Sequence, residues 1–315
     1  MLGYRSRMAK KKLTEEKQDG FHYTVGPYAD PAIEIEPGDT VEVETEDAFE
    51  GAIETEDDSP SEKLNMPYLN PQSGPIYVEG AKKGDTVAIT IDSIKPRGPQ
   101  PRGTTCLIPE FGGLSATDMT AMLHEPLPEI VKKLNVTTDG VEWDSDTTIP
   151  YEPFVGTIST SPEIDSVSAL TPSKHGGNMD LPDVKPGTTI HLPVNTEGAL
   201  IYLGDCHAAQ GDGELCGVAL EHPTVTTITV DLIKNKEIEW PRLETDDFIM
   251  SIGSVRPMED AARIAYRDLI EWMVDEHDFD KYEAYMLLTQ VGSVRLGNMV
   301  DPNYTIGAAI DKEYL

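Results

Sequence analysis

The chain has 315 residues, of which 56 are acidic and 25 are basic, and its formal net charge at pH 7 is −31. This balance argues against nucleic acid as a partner, because such binding needs clustered Lys and Arg, and it equally disfavours an anionic membrane surface. An acidic surface of this density is typical of adaptation to high salt, where counterions screen the repulsion between like charges. We therefore predict a halophilic protein.

The cysteine content and the first residues bear on where the protein works. The chain has three cysteines, Cys106, Cys206 and Cys216, and an odd number suits a reducing compartment. No apolar run approaches the length of a transmembrane helix, and the basic start lacks the apolar region of a signal peptide. We predict a cytoplasmic protein with a flexible tail over residues 1–18. A single domain follows over 19–315, and its division into two β-rich subdomains stays open.

A short turn-and-strand pattern recurs at residues 37–44, 83–91 and 186–192. In each copy a turn that contains glycine is followed by alternating β-branched residues, which predicts a tight turn leading into a strand. Further strands are predicted at 226–232 and 248–251. Short strands separated by frequent turns are typical of a β-sandwich.

Helical periodicity appears late in the chain. Residues 259–276 carry apolar side chains at i, i+3 and i+4 spacings, which predicts an amphipathic helix. A second helix is predicted at 280–291, with Asp280 as its N-cap. The fold class that follows is mainly β (α+β), with a β-sandwich-like core of short strands and a C-terminal helical segment.

The densest group of reactive side chains lies in residues 204–217, directly after an apolar run. Asp205 and His207 stand two residues apart, so their side chains share a face if the segment is extended. Asp212 and Glu214 repeat this spacing. Nitrogen and oxygen ligands of this kind suit zinc or another divalent ion, and buried carboxylates in so acidic a protein need a cation nearby. Turn capping and metal-free acid–base chemistry are the open alternatives.

Two further segments combine polar side chains with glycines. Residues 174–180 place His175, Asn178 and Asp180 around a Gly-Gly pair whose backbone N–H groups could form an oxyanion site. Alone this segment would indicate a surface turn, but together with residues 204–217 it predicts one shared site. In the third segment, at 70–81, Asn70 and Glu79 could face a site, but we expect such polar side chains to make turn hydrogen bonds.

The cysteines are less suited to catalysis than they first look. Cys206 lies between Asp205 and His207, so its side chain should point away from theirs. A thiolate nucleophile needs a nearby positive charge or general base, whereas acidic surroundings raise the pKa of a thiol. The chain also lacks a dinucleotide fingerprint, a P-loop and a Gly-x-Ser-x-Gly elbow, which argues against nucleotide chemistry and a serine triad.

Three blocks of the sequence resemble the acetamidase/formamidase family. Residues 70–81 carry Asn-Pro-x-Ser-Gly-Pro-Ile-x-Val-x-Gly-Ala, residues 175–180 read His-Gly-Gly-Asn-Met-Asp, and residues 204–217 begin Gly-Asp-x-His-Ala-x-Gln-Gly-Asp-Gly-Glu. The resemblance extends over nearly the whole chain. It implies a mostly β catalytic domain, hydrolysis of a short-chain aliphatic amide to carboxylate and ammonia, a metal-supported site and a homo-oligomer.

On this resemblance we assign roles to the residues singled out above. Amide hydrolysis needs an activated water, a stabilised oxyanion and a proton for the leaving nitrogen, and a divalent metal, here predicted to be zinc, supplies the first two. The expected ligands are Asp180, Asp205 and His207. Glu214 is expected to be the general base or a further ligand. His175 is expected to protonate the leaving nitrogen or to be a ligand, and Asn178 and Gln210 to orient the amide.

Two rival hypotheses stay open at this point. One is a metal-stabilised β-sandwich that binds a small molecule without catalysis. The other is a cysteine-dependent amidase.

Overall fold

The computed structural model describes residues 10–115 and 126–315, and the first nine residues of the predicted tail lie outside this part. In chain order the strands are β1 (Lys10–Leu13), β2 (Thr24–Val25), β3 (Ile33–Ile35), β4 (Asp39–Thr45), β5 (Gln72–Val78), β6 (Thr86–Pro96), β7 (Arg102–Leu107), β8 (Ile130–Thr137), β9 (Gly140–Glu142), β10 (Thr148–Ile149), β11 (Phe154–Ser159), β12 (Val167–Ser168), β13 (Gly176–Asn178), β14 (Thr189–Pro193), β15 (Ile201–His207), β16 (Thr224–Ile233), β17 (Arg242–Glu244), β18 (Phe248–Val255), β19 (Ser293–Leu296) and β20 (Tyr304–Asp311). The helices are α1 (Pro60–Lys63), α2 (Met258–His277) and α3 (Lys281–Val291), with 3₁₀ turns at Glu15–Lys17 and Lys312–Tyr314.

Two large sheets form the centre of the molecule. The larger has nine strands in the order β1-β4-β16-β6-β14-β17-β18-β20-β19, and the smaller has five in the order β13-β11-β15-β5-β3. Apolar side chains from both sheets meet in one buried cluster, which includes Val41 and Ile89 from the nine-stranded sheet and Ile76, Ile158 and Leu203 from the five-stranded sheet. The mainly β fold with a sandwich-like core is therefore confirmed.

Smaller sheets complete the architecture. One has four strands in the order β10-β9-β8-β7, and the other pairs β12 with β2. The three predicted turn-into-strand patterns become β4, β6 and β14. In β4, buried residues alternate with half-buried ones along the whole strand, as expected where one face of a sheet covers the core.

Part of the segment predicted to be a flexible tail forms regular structure. Lys10–Leu13 is strand β1, which pairs in parallel with β4 at the edge of the nine-stranded sheet. The Nζ atoms of Lys10 and Lys12 both lie 2.9 Å from carboxylate oxygens of Glu42, and the side chain of Leu13 is fully buried. Main-chain pairing, charge and apolar burial together hold these residues, although their Lys-rich sequence has no strand periodicity.

Both predicted C-terminal helices are confirmed. Helix α2 packs on β18 and β20, where Ile249, Ile306 and Ala308 contact its buried face. The N-cap of α3 is Asp280, whose Oδ1 atom accepts hydrogen bonds from the backbone N–H groups of Tyr282 and Glu283. Among the described residues, no helix is long and apolar enough to cross a membrane.

Candidate active site

Strand β15 carries the first two residues of the site. The side chains of Asp205 and His207 are almost fully buried, and the Nε2 atom of His207 lies 3.3 Å from Oδ1 of Asp205. Cys206 points the other way, into the core between the sheets, with its Sγ atom 3.6 Å from Oγ1 of Thr226. The predictions that Asp205 and His207 share a face and that Cys206 points away from them are both confirmed.

This arrangement depends on an irregularity at Asp205. Leu203 and Cys206 both contact the core, although strict alternation would put them on opposite faces. Asp205 has a left-handed backbone with φ of 54°, which reverses the alternation at that point. Its register neighbour on β11 is Gly156, where an added Cβ would lie 2.7 Å from the carbonyl oxygen of Asp205 and 2.8 Å from Oδ1 of Asp180.

A third side chain completes this corner, and no sequence pattern points to it. Glu221 pairs with His207 in an isolated β-bridge, and its Oε2 atom lies 3.2 Å from Nε2 of His207. The backbone N–H of Ala219 donates to Oε1 of Glu221 at 3.0 Å and to Oε1 of Glu214 at 3.1 Å. One amide therefore brings the two glutamates together.

The second sequence block lies against the first. Asp180 is fully buried, and within the described part of the chain neither of its carboxylate oxygens has a hydrogen-bond partner. The side-chain nitrogen of Asn178 donates to Oδ2 of Asp301 at 3.0 Å, which adds an aspartate from the loop before β20. Sequence reasoning missed Asp301 because an Asp-Pro-Asn segment is typical of an ordinary surface turn.

Three overlapping groups of side chains have the spacing of metal ligands, with all ligand atoms of a group within 4.8 Å of one another. Their members are Asp180, Asp205 and His207; His207, Glu214 and Glu221; and Asp180, Glu214 and Asp301. We call these six residues, Asp180, Asp205, His207, Glu214, Glu221 and Asp301, the acid cluster. Four of them were predicted as site residues, whereas Glu221 and Asp301 were not.

The side chain of Gln210 orients the ring of His207. Its Nε2 atom donates to the backbone oxygens of Asp180, at 2.8 Å, and Gly297, at 3.0 Å. The Oε1 atom must therefore be the one that faces Nδ1 of His207, at 2.8 Å. Because that oxygen can only accept, Nδ1 carries the proton, and Nε2 of a neutral ring presents its lone pair to the two carboxylates.

A second polar network holds Asp205. Its Oδ2 atom accepts from Nδ2 of Asn70 at 2.8 Å and from Oγ1 of Thr157 at 3.1 Å. Asn70 also donates to Oδ1 of Asn178 at 3.2 Å, and Thr157 donates to the same oxygen. Of the two alternatives for Asn70, the structure supports the one in which it faces a site, because its amide donates to Asp205 of the acid cluster.

Two other residues considered from the sequence lie apart from the acid cluster. Asp212 is exposed and its carboxylate pairs with Nη1 of Arg295 at 3.0 Å. His175 is buried and belongs to none of the three ligand groups found among the described residues. Burial lowers the pKa of its imidazole to about 4, so the ring is neutral at pH 7.

The backbone of the site is strained at several points. Asn70, Asp180, Asp205 and Glu214 all have a left-handed conformation, with φ of 56°, 46°, 54° and 49°. Asparagine and aspartate tolerate this region better than most residues, whereas it costs a glutamate more. Such strain persists only where the surrounding structure enforces it, and it is concentrated at functional sites.

The carboxyl groups of the acid cluster are poorly able to ionise together. Burial and the neighbouring acids raise the pKa values of Asp180, Glu214 and Asp301 well above their ordinary range, and burial raises the pKa of Glu221 to about 8. Burial would lower the pKa of His207, but Glu221 and Asp205 hold it well above its usual value. Burial also opposes ionisation of Asp205, yet His207 lowers its pKa overall. The acid cluster must therefore take up protons or a cation.

A cavity of about 810 Å³ opens beside the acid cluster. Gln210 and Glu214 line it and also belong to the polar network described above, so they connect the cavity to the buried acids. Most of the remaining wall is apolar, with Leu107, Phe111 and Trp143 among its residues. A substrate in this cavity would meet the acid cluster at one end.

Comparison with known proteins identifies the family of the chain. A sequence model described as "Acetamidase/Formamidase family" matches residues 7–170 and 163–313. The crystal structure of an acetamidase from Yersinia enterocolitica is 56% identical, with a TM-score of 0.97, and the match covers 99% of this chain and 95% of that one.

More distant relatives give the same result. The crystal structure of an acetamidase from Bacillus halodurans is 32% identical, with a TM-score of 0.87 and coverage of 96% of this chain and 98% of that one. An acetamidase from Mycolicibacterium smegmatis is 28% identical, and the match covers 79% of this chain and 74% of that protein. The chain therefore belongs to the acetamidase/formamidase family and is an amidohydrolase.

Proposed function

We propose that this enzyme hydrolyses an aliphatic amide to carboxylate and ammonia by means of a water activated by a divalent metal ion, and that the ion is zinc. The observation that carries the proposal is the convergence on His207: with Nδ1 bound to Gln210, its Nε2 atom lies 3.3 Å from a carboxylate oxygen of Asp205 and 3.2 Å from one of Glu221. A lone pair surrounded by carboxylates in a buried site favours a cation at its centre.

The donor set fits such an ion. Both carboxylate oxygens of Asp180 are buried and have no hydrogen-bond partner among the described residues, and buried Nε2 of His207 faces carboxylate oxygens of Asp205 and Glu221 at 3.3 Å and 3.2 Å. Atoms of this kind are costly to bury unless something binds them. One imidazole with several carboxylates is a ligand set that zinc accepts. We assign Asp205, His207 and Asp180 as ligands, and Glu221 as a ligand that the sequence did not suggest.

A divalent ion bound there would lower the pKa of a water molecule and polarise the amide carbonyl. Glu214 has the position of the general base, because it lines the cavity and also belongs to the acid cluster. Burial and the neighbouring Asp180 raise the pKa of Glu214, which makes its carboxylate a stronger proton acceptor. We propose that Glu214 takes the proton of the attacking water and delivers it to the leaving nitrogen.

For His175, Asn178 and Gln210 we propose roles that differ from those expected from the sequence. His175 is neutral and lies outside the three ligand groups, so we assign the leaving-group proton to Glu214 instead of His175. The side-chain amides of Asn178 and Gln210 are occupied by Asp301, Asn70, His207 and backbone oxygens. We therefore propose that Asn178 and Gln210 position the acids and the imidazole and do not orient the substrate.

The test is ammonia release from formamide and acetamide. We expect turnover that is lost after chelation, returns with zinc, and falls at least about a hundredfold in Glu214→Gln, while Cys206→Ala and Cys216→Ala stay active. Turnover that survives complete metal removal would overturn the metal assignment. A protein that binds zinc but releases no ammonia from any amide would instead be a non-catalytic binding module.

We also propose that the protein acts as a homo-oligomer in a cytoplasm of high salt. Its charge of −31 supports the salt preference. Helix α3 supports self-association, because Tyr282, Tyr285 and Met286 lie on one face at i, i+3 and i+4 and are 72%, 62% and 64% exposed. An exposed apolar helix face of this kind is typical of a surface that is covered by another protein chain.

A further inference from the structure

We infer that the preferred substrate is an uncharged amide whose acyl group is a branched or aromatic hydrocarbon, considerably larger than the acetyl group. This inference rests on the proposed function, because it assumes that the amide reacts at the acid cluster. It is carried by the cavity beside Glu214, through its size, its lining and its charge.

The cavity is too large for a minimal amide. Its volume is about 810 Å³, which is within the range of pockets that hold drug-sized molecules. Acetamide, with four non-hydrogen atoms, would fill only about a seventh of it if each atom took roughly the 30 Å³ of a water molecule. The rest would stay filled with water, and the small substrate would gain little from the walls.

The walls are suited to hydrocarbon. The apolar side chains that line the cavity include those of Leu107, Phe111, Leu114, Trp143, Ile149 and Leu220. An acyl chain placed against them would lose its contact with water, and each buried methylene should raise kcat/KM about fourfold. The aromatic members of the lining also favour an aromatic ring in the substrate.

The charge of the cavity lining limits the class of substrate further. The residues of the described lining that carry a carboxyl group are Glu152, Asp212 and Glu214. No Lys, Arg or His belongs to that lining. Arg295 already pairs with Asp212, so a substrate that carried a carboxylate would meet acidic side chains and no unpaired basic side chain of the lining, whereas a neutral amide would not be repelled.

The position of the acid cluster at one end of the cavity determines the orientation of the substrate. The side chains of Glu214 and Gln210 line the cavity and also take part in the buried polar network. The amide group should lie at this end, next to the acids, and the hydrocarbon group should extend toward the ring of Trp143 and the side chain of Ile149.

The experiment measures ammonia release from formamide, acetamide, butyramide, isovaleramide, phenylacetamide and succinamate with the zinc-loaded enzyme. We expect kcat/KM to rise at least tenfold from acetamide to phenylacetamide, and succinamate to be at least tenfold worse than butyramide. Acetamide or formamide as the best substrate, or succinamate equal to butyramide, would overturn the inference. If no amide in the series releases ammonia, the proposed function itself fails.

A variant in which a larger side chain fills part of the cavity provides a matched comparison with the parent enzyme. Ala209 lines the cavity and is half-buried, so Ala209→Phe should lower the phenylacetamide-to-acetamide ratio of kcat/KM at least tenfold. Ile164→Phe adds a ring at a position that is 71% exposed and outside the lining, and it should leave the ratio unchanged. Ala209→Leu carries the same expectation on a smaller scale if the first variant does not fold. An unchanged ratio in a folded Ala209 variant would contradict the inference.

Discussion

The Nδ1 atom of His207 lies 2.8 Å from Oε1 of Gln210, and this contact decides which ring nitrogen faces the acid cluster. The orientation of the amide is itself fixed, because its nitrogen donates to two backbone oxygens. The tautomer of the imidazole is therefore set by main-chain atoms that belong to different parts of the sequence, near Asp180 and Gly297.

This contact predicts a loss of metal affinity in Gln210→Leu. Without the acceptor at Nδ1 the ring can turn and change tautomer, so we expect zinc to bind about 10–100-fold more weakly. A competition titration with a zinc indicator measures the change. Glu163→Gln, which removes an exposed carboxylate paired with Lys83, is the control and should bind zinc as tightly as the parent. Equal affinity in Gln210→Leu would show that Gln210 does not position the ligand.

The acid cluster predicts that the metal-free protein loses stability as pH rises. A carboxyl group whose pKa is raised on folding weakens the folded state above its unfolded pKa, and for Glu221 this penalty grows from about pH 4.5 until it is complete near pH 8. The raised pKa of His207 acts in the same direction, because its stabilisation is lost as pH rises through the folded value. The lowered pKa of Asp205 adds a stabilisation that is already present above its unfolded pKa and is lost only in more acid solution, so it does not change the trend at higher pH.

Melting temperatures after chelation, at pH 5, 6.5 and 8 in high salt, measure this dependence. We expect the lowest value at pH 8 and the largest recovery there when zinc is added. Glu221→Gln should flatten the pH dependence of the chelated protein, which separates the effect of the acid cluster from general surface repulsion. A chelated protein that is most stable at pH 8 would contradict this prediction.

Gly156 is predicted to tolerate no side chain. A Cβ there would lie 2.7 Å from the carbonyl oxygen of Asp205 and 2.8 Å from Oδ1 of Asp180, closer than real contacts allow. The first of these atoms belongs to the buried backbone and the second to the acid cluster. Gly156→Ala should therefore lower the melting temperature and weaken zinc binding at least tenfold. Gly211→Ala is the matched control for stability, since a Cβ at Gly211 meets nothing within 4 Å. Similar melting temperatures for the two variants would contradict the close approach at Gly156.

The net charge predicts stabilisation by salt. Repulsion among 56 acidic groups is poorly screened below about 0.1 M salt, where the Debye length exceeds about 10 Å. We expect the melting temperature to rise by roughly 5–10 °C between 0.05 M and 2 M KCl at pH 7.5. The rise should become small near pH 4.4, the isoelectric point of the sequence. A melting temperature that does not depend on salt at pH 7.5 would count against halophilic adaptation.

The exposed apolar face of α3 predicts an oligomer that dissociates when negative charges are introduced on this face. Light scattering after size exclusion should give a multiple of 34.6 kDa for the parent chain and a smaller mass for the double variant Tyr285→Glu/Met286→Glu. Glu283→Gln, on the same helix, should keep the parent mass. A parent chain that is monomeric at micromolar concentration would refute the proposal, and an unchanged mass in the double variant would remove α3 from the interface.

The parts of the site that could be predicted lie in two polar, glycine-containing stretches, 174–180 and 204–217. Asp205 and His207 share a strand, and their spacing alone placed them together. Glu221 could not be selected, because it ends the apolar run of Val218, Ala219 and Leu220 and approaches His207 only through a β-bridge. Asp301 is brought in by the loop before β20, at a distance in sequence that no local pattern encodes.

In the fold, too, the elements that follow from local patterns could be predicted, and those that depend on distant partners could not. Helices α2 and α3 follow from periodicity and from the cap at Asp280, which are local properties. Strand β1 does not, because its residues become a strand only by pairing with β4 and by the burial of Leu13. The polar roles of Gln210 and Asn178 also required the fold, since their partners come from distant segments.

The left-handed residue in β15 has a consequence for how such a site can be built. In a regular strand, Asp205 would continue on the face of Ile201 and Leu203, and both acid and imidazole would enter the apolar layer between the sheets. The left-handed conformation of Asp205 shifts the phase of the strand, so that Ile201 and Leu203 face the core of the sandwich while Asp205 and His207 face the acid cluster. A seven-residue strand thereby serves two environments without an insertion, and the residue that shifts the phase itself belongs to the acid cluster.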